Sequence, residues 1–284
     1  MASTPLPGTS DTPSPASSDL EAPDSSYTPS PATSNQDTPR STPPLQPDNE
    51  HSLDIYLASG INQKDVARYF SVGNSTICKI IREVCLAIWD VLGPVFLPRP
   101  TPHHWKRVTE EFGNKWNFPH CLGAIDGKPI PIHKPNLPGS TSLNDKKTSS
   151  TILMAVTDAS YRFIYLDIGT YEKENAVSVF AQSTFGRALE DGSLLLPQSG
   201  DGELPYVFVA NEAFPLKPQL MTPYSGYNLP EEKAMFNYHL SQAQRVVESA
   251  FGVMVTKWRI LSQPIIGKPE TVDCIVKAVG VLQM

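Results

Sequence analysis

The sequence predicts a mixed α/β domain preceded by a short helical segment. Three observations predict it. Beyond Phe118 the apolar residues fall into strand-length stretches: Leu122 to Ile132, Thr151 to Thr157 and Arg162 to Ile168. Tyr206 to Ala210 is a nearly continuous apolar run, the pattern of a strand buried on both faces. Leu240 to Leu261 then repeats its apolar residues at helical spacing.

The 284 residues suffice for one large or two small domains, and the first fifty contribute to neither. Residues 1–50 are Ser, Thr and Pro with scattered acids and almost no aliphatic side chains. Such a segment buries too little apolar surface to offset its ordering entropy and is expected to be disordered. Its Thr12-Pro13, Ser14-Pro15, Thr28-Pro29, Thr38-Pro39 and Thr42-Pro43 steps suit either proline-directed phosphorylation or a plain solvated tail. Residues 51–97 read as a helical segment. Gln63 to Phe70 gives one short amphipathic helix, and Ser71-Val-Gly-Asn74 a turn in which Gly73 is free to take positive φ. Asn74 or Ser75 caps a second helix, Thr76 to Trp89, with Ile77, Ile80, Ile81, Val84 and Ile88 at helical spacing. Helix, tight turn and capped helix form a helix-turn-helix pattern. Its DNA-binding version directs Ser75, Thr76 and Lys79 into a major groove, with Arg82 adding charge on the same helix. The same hairpin is also common without DNA.

Residues 98–117 are a linker and a short helix, with Leu97-Pro-Arg-Pro-Thr-Pro102 breaking the chain before His103 to Phe112. Residues 118–284 form the α/β domain. Asp158-Ala-Ser-Tyr161 turns the second strand into the third, and Ala176 to Leu189 is helical. The element order is three meandering strands, a helix, a buried strand and further helices.

Composition excludes several classes. No charged leader followed by an apolar core is visible, and no apolar run approaches membrane-spanning length. Cys78, Cys85, Cys121 and Cys274 include no Cys-x-x-Cys pair, so neither a disulfide framework nor a zinc site is expected. His103, His104 and His120 lack metal-ligand spacing and read as structural or surface residues. The net charge of −6 does not advertise nucleic-acid binding, although a basic face can exist on an acidic protein.

The most informative stretch is Cys121-Leu-Gly-Ala-Ile-Asp-Gly-Lys-Pro-Ile-Pro-Ile132. It reads as a core strand presenting one carboxylate, Asp126, beside Gly127, where something can approach closely. An Asp-Gly step alone is weak, because most are turns. Its companion is Glu248, inside the long helix, where Ser241, Arg245, Glu248 and Gly252 share a face.

Together these segments resemble the first and third catalytic motifs of the PIF/Harbinger transposases and Harbinger-derived nucleases. Phe118-Pro-His-Cys121 leads into the first acid, Ile152 to Gly169 is similar to the family's central hairpin, and Pro205 to Leu216 to its second catalytic motif. The resemblance runs from about Tyr56 to the C-terminus. It implies an RNase H-like mixed sheet with flanking helices, and a DNA-cleaving enzyme using Mg²⁺ or Mn²⁺. Asp126 would bridge two metals, with residue 211 holding one and Glu248 the other. It also implies a nuclear location and, beside DNA, a separate Myb/SANT-like DNA-binding partner.

Two departures stand out. The family has an aspartate where this chain has Asn211, and Glu174 to Phe180 replaces the acidic motif expected after the hairpin. Two divalent ions about 4 Å apart repel strongly, and three carboxylates offset that repulsion. A neutral amide at 211 should weaken metal binding and slow cleavage by orders of magnitude. Asp158, Asp167 and Asp201 are the acids that could substitute. Two readings follow: a metal-dependent nuclease, or a transposase-derived scaffold that binds DNA or protein without cutting. Relatives continue through a further helix beyond Val281-Leu-Gln-Met284, so a C-terminally shortened domain is expected.

Overall fold

The computed structural model describes residues 49–133, 149–169 and 176–284. The expected disordered tail lies outside the described residues except for Asn49 and Glu50, and the first two residues of the Glu174–Phe180 block lie outside them as well.

Four helices come first: α1 (Asn49–Ser59), α2 (Gln63–Tyr69), α3 (Asn74–Phe96) and α4 (Pro102–Trp116). Asn62 caps α2 by accepting from the Asp65 backbone N–H at 3.0 Å. The turn between α2 and α3 differs from expectation. Val72 N–H bonds to Ala67 O and Ser71 N–H to Arg68 O, a closure that needs a left-handed residue just after the helix. Ser71, at φ 56°, supplies it. Gly73 is extended at φ −66° and is itself the cap of α3, so Asn74 is already helical and Ser75 caps nothing. Buried Ile77, Ile81 and Cys85 anchor α3, which continues past Trp89 through Pro94 to Phe96. Thr101 caps α4, with Pro102 in its first turn.

The sheet follows. β1 (Cys121–His133), β2 (Ser149–Thr157) and β3 (Phe163–Gly169) pair antiparallel in sequence order. The predicted helix over 176–189 is two helices, α5 (Ala176–Gln182) and α6 (Thr184–Glu190). Ser183 breaks the run by accepting from Gly186 N–H at 2.9 Å. A Cβ on Gly186 would stand 2.0 Å from Phe180 O, so only glycine permits the sharp junction. β4 (Val207–Ala210) then pairs parallel with β1, and β5 (Leu220–Met221) parallel with β4. The sheet order is β3-β2-β1-β4-β5.

The long helix α7 (Glu231–Lys257) begins nine residues before the apolar period and ends four before Leu261, where Arg259–Ser262 tightens into a 3₁₀ turn. β6 (Ile265–Ile266) adds in parallel to the far end of β1. α8 (Pro269–Leu282) packs on α3 and β3. Asp126, Asn211 and Glu248 therefore sit on the central strand, at the end of its parallel neighbour, and on the helix crossing both.

Among the described residues no helix is long and apolar enough to cross a membrane. All four cysteines are free, with Cys85 and Cys121 buried.

Candidate active site

A distortion in β1 sets the site. Its register against β4 shifts between Cys121 and Gly123, and Gly123 takes φ 154°. A Cβ there would meet Val156 Cγ1 at 2.9 Å and Thr157 O at 3.0 Å, so the irregularity needs glycine. Beyond it Ala124 pairs with Val209 and Ile125 with Ala210. The next residue on each strand is Asp126 and Asn211, which thus emerge side by side where β4 ends.

The two side chains touch. Asn211 Nδ2 donates to Asp126 Oδ1 at 2.9 Å, and Gly127 N–H donates to the same oxygen at 2.8 Å. The orientation of the amide is fixed from its other end, because Asn211 Oδ1 accepts from Ala213 N–H at 3.0 Å. A backbone N–H only donates, so the oxygen must face it and the NH₂ must face Asp126. Phe214 N–H bonding to Asn211 O at 3.1 Å closes a turn around this residue. Glu212 and Ala213 are exposed.

Burial pushes the half-buried Asp126 carboxyl above the usual carboxylate range, and the Glu248 charge pushes the same way. The Gly127 N–H, the Asn211 amide and Lys128 pull against this without cancelling it. Glu248 itself is exposed on α7, in line with exposed Ser241, Arg245 and Gly252. Nothing lies within 4 Å of where a Gly252 Cβ would stand, so this face is open.

A residue the sequence reading passed over bonds the helix to the central strand. Gln244, only 5% exposed, donates from Nε2 to Ile125 O at 3.0 Å, bridging α7 to the residue before Asp126. A polar residue at a position where the helical period calls for an apolar one was the available signal.

The substitute acids lie elsewhere. Asp158 is buried in the β2–β3 turn, accepting from Ser160 N–H, Arg162 N–H and Arg162 Nε at 2.8, 3.0 and 2.9 Å. Asp167, on the edge strand, accepts from Tyr165 Oη at 3.0 Å and Ile168 N–H at 2.8 Å. Asp201 is exposed in a turn. Among the described residues no group of three or more His, Cys, Asp or Glu side chains could hold a metal ion. With two carboxylates, and an amide whose oxygen is already engaged, the donor set does not fit a pair of divalent cations.

Ser75, Thr76, Lys79 and Arg82 are exposed on α3, on the side away from Ile77, Ile81 and Cys85. Lys79 Nζ lies 3.8 Å from Glu83. His120 is structural, its Nδ1 2.7 Å from Leu204 O and its ring stacked on Tyr206.

The model of the DDE superfamily endonuclease family matches residues 125–283, a stretch that begins one residue before Asp126 and includes Asn211 and Glu248. Protein ALP1-like of Arabidopsis thaliana is 28% identical over 218 residues, covering 72% of this chain and 52% of that protein. Protein Antagonist of like heterochromatin protein 1, from the same plant, is 28% identical over 213 residues, covering 73% and 53%. The chain spans about half the length of these curated relatives. No solved structure matches it. With more than half the chain under the family model and the mixed sheet its motifs imply in place, the chain belongs to the DDE superfamily endonucleases, on the Harbinger-derived side.

Proposed function

We propose that this chain is a DDE-endonuclease-derived protein that retains the fold and does not cleave, acting as a DNA- and chromatin-associated scaffold in the nucleus. One observation carries the reading: the Asn211 amide points its NH₂ at Asp126 and gives its oxygen to Ala213 N–H. A donor thus stands where an anionic ligand is needed. DDE superfamily nucleases generally use divalent metals, and a pair of such ions needs charge that Asp126 and Glu248 alone do not supply. Lys79 and Arg82, with Ser75 and Thr76, are the residues of α3 that would meet DNA, and a Myb/SANT-like protein is the expected DNA-binding partner. The chromatin assignment leans on the relative named for its antagonism to like heterochromatin protein 1.

The test compares the wild-type chain with Asn211→Asp. Wild type should show no saturable Mn²⁺ binding by calorimetry and no Mn²⁺- or Mg²⁺-dependent cleavage of duplex DNA. Asn211→Asp should gain Mn²⁺ binding. Metal-dependent cleavage by wild type that disappears in Asp126→Asn would overturn the scaffold reading. Absence of any gain in Asn211→Asp would show that the site is broken at a second place.

A further inference from the structure

Helix α7 meets the sheet through an almost wholly apolar face: Leu240, Ala243, Val246, Val247, Ala250, Phe251 and Met254 are buried. Apolar contact is non-directional and tolerates small slides and rotations of one element over another. Gln244 is the one buried polar residue in that face, and the bond it makes is specific in direction. Its Oε1 is buried and has no hydrogen-bond partner among the described residues. An unsatisfied buried acceptor is destabilising; an apolar side chain of similar volume would avoid that cost and would in turn take this donor from Ile125 O, so the two effects oppose. In apolar interfaces such as coiled coils, a single buried polar residue can fix register.

The two ends of this bond are informative. Its acceptor is the carbonyl immediately before Asp126, and its donor lies four residues before Glu248, one turn away on the same helix. We infer that Gln244 is a positioning residue: its amide, bonded to Ile125 O, sets the height of α7 over β1 and thereby the separation of the Asp126 and Glu248 carboxylates. Its role is register.

Gln244→Met conserves volume and removes the donor, with Gln244→Leu as the second variant should Met fail to fold. The first measurement needs no metal. Spin labels at Glu110→Cys on α4 and Val253→Cys on α7, with Cys78 and Cys274 changed to Ser, report the distance between α7 and α4, a second helix packed on β1. The Gln244 parent should give a narrow distribution, and the variants one that is broadened or moved by about 1–2 Å, the scale of helix shifts at packed interfaces. Their thermal midpoints should stay close to that of the parent, because relief of the unpartnered Oε1 offsets the loss of the bond to Ile125 O.

The second measurement rests on the reading of the site proposed above. In the Asn211→Asp background, Gln244→Met should weaken Mn²⁺ binding by about 10–100-fold, the usual cost of losing a group that orients metal ligands. An unmoved distance distribution overturns the inference, as does a double variant that binds Mn²⁺ as tightly as Asn211→Asp alone. If Asn211→Asp itself fails to bind Mn²⁺, the site is broken at a second place, and the distance measurement alone decides the role of Gln244.

Discussion

The Asn211 amide donates to Asp126 Oδ1 at 2.9 Å, and the Gly127 N–H donates to that same oxygen at 2.8 Å. One carboxylate oxygen is thus held by two neutral donors from the chain itself. Hydrogen bonds to a charged group are each worth about 1.5–3 kcal/mol, so the contact is a sizeable part of what stabilises this half-buried carboxylate.

Asn211→Asp should therefore destabilise the metal-free protein at neutral pH. It exchanges a donor for a second carboxylate beside Asp126, with Glu248 acting on the same group. Loss of the charged hydrogen bond alone corresponds to about 1.5–3 kcal/mol, and in a domain of this size each kcal/mol moves Tm by about 2–4 °C. Thermal melts at pH 7 and pH 4 check it. The deficit should shrink at the lower pH, where protonation relieves the repulsion, and an equal deficit at both would refute the electrostatic account.

Asp126→Asn should stabilise the wild-type fold at neutral pH. Burial and Glu248 raise the Asp126 carboxyl in the folded state. The native protein then holds this proton to higher pH than the unfolded chain does. The stability linked to this group is complete below the unfolded carboxylate range and is lost as pH rises through the folded value. Asp126→Asn abolishes that loss and keeps an acceptor for Gly127 N–H and for the Asn211 amide. Its Tm advantage should grow from acid towards neutral pH, and a constant or inverted difference would show that the carboxylate is not strained by burial.

Much of this arrangement was legible in the sequence because it depends on patterns that survive folding. The alternation in β1, β2 and β3 and the continuous run in β4 mark the sheet, and Asp126 and Glu248 stand out from apolar surroundings. Three features were not legible. The Gly186–Phe180 contact that splits α5 from α6 depends on backbone packing, which leaves no period in the sequence. β5 and β6 are two-residue strands created by pairing, with no intrinsic signal of their own. The direction of the Asn211 amide depends on Ala213 N–H, a bond that exists only once the turn after β4 has formed.

Asp158→Ala should destabilise the protein without touching the candidate site. Asp158 accepts from two backbone N–H groups and Arg162 Nε inside the β2–β3 turn. Ser160 in turn donates to Glu111 on α4 at 2.8 Å, tying the turn to the helix behind it. Removing a buried acceptor of this kind costs about 1.5–3 kcal/mol, read as a lower urea midpoint at unchanged m-value. Arg162→Ala should cost less, because its side chain is 55% exposed and both backbone bonds to Asp158 survive. Equal losses in the two variants would mean that the ion pair, and not the backbone bonds, holds the turn.

Lys79→Ala/Arg82→Ala tests the helix-turn-helix reading of α2 and α3. Both side chains are exposed on α3, and Lys79 is 3.8 Å from Glu83, an exposed i,i+4 pair that contributes little to stability. The double variant should therefore fold with a nearly unchanged Tm. If these cations meet phosphates, each contact releases condensed counterions and adds about 0.9 to the slope of log K against log salt. The double variant should bind a DNA duplex more weakly at low salt and lose about one to two units of slope in fluorescence anisotropy. Glu83→Gln should act in the opposite direction, because it frees Lys79 from its neighbour and removes a charge that repels phosphate. A slope unchanged in the double variant would place the DNA-binding surface away from α3. No measurable binding by wild type at low salt would leave DNA contact to the partner protein.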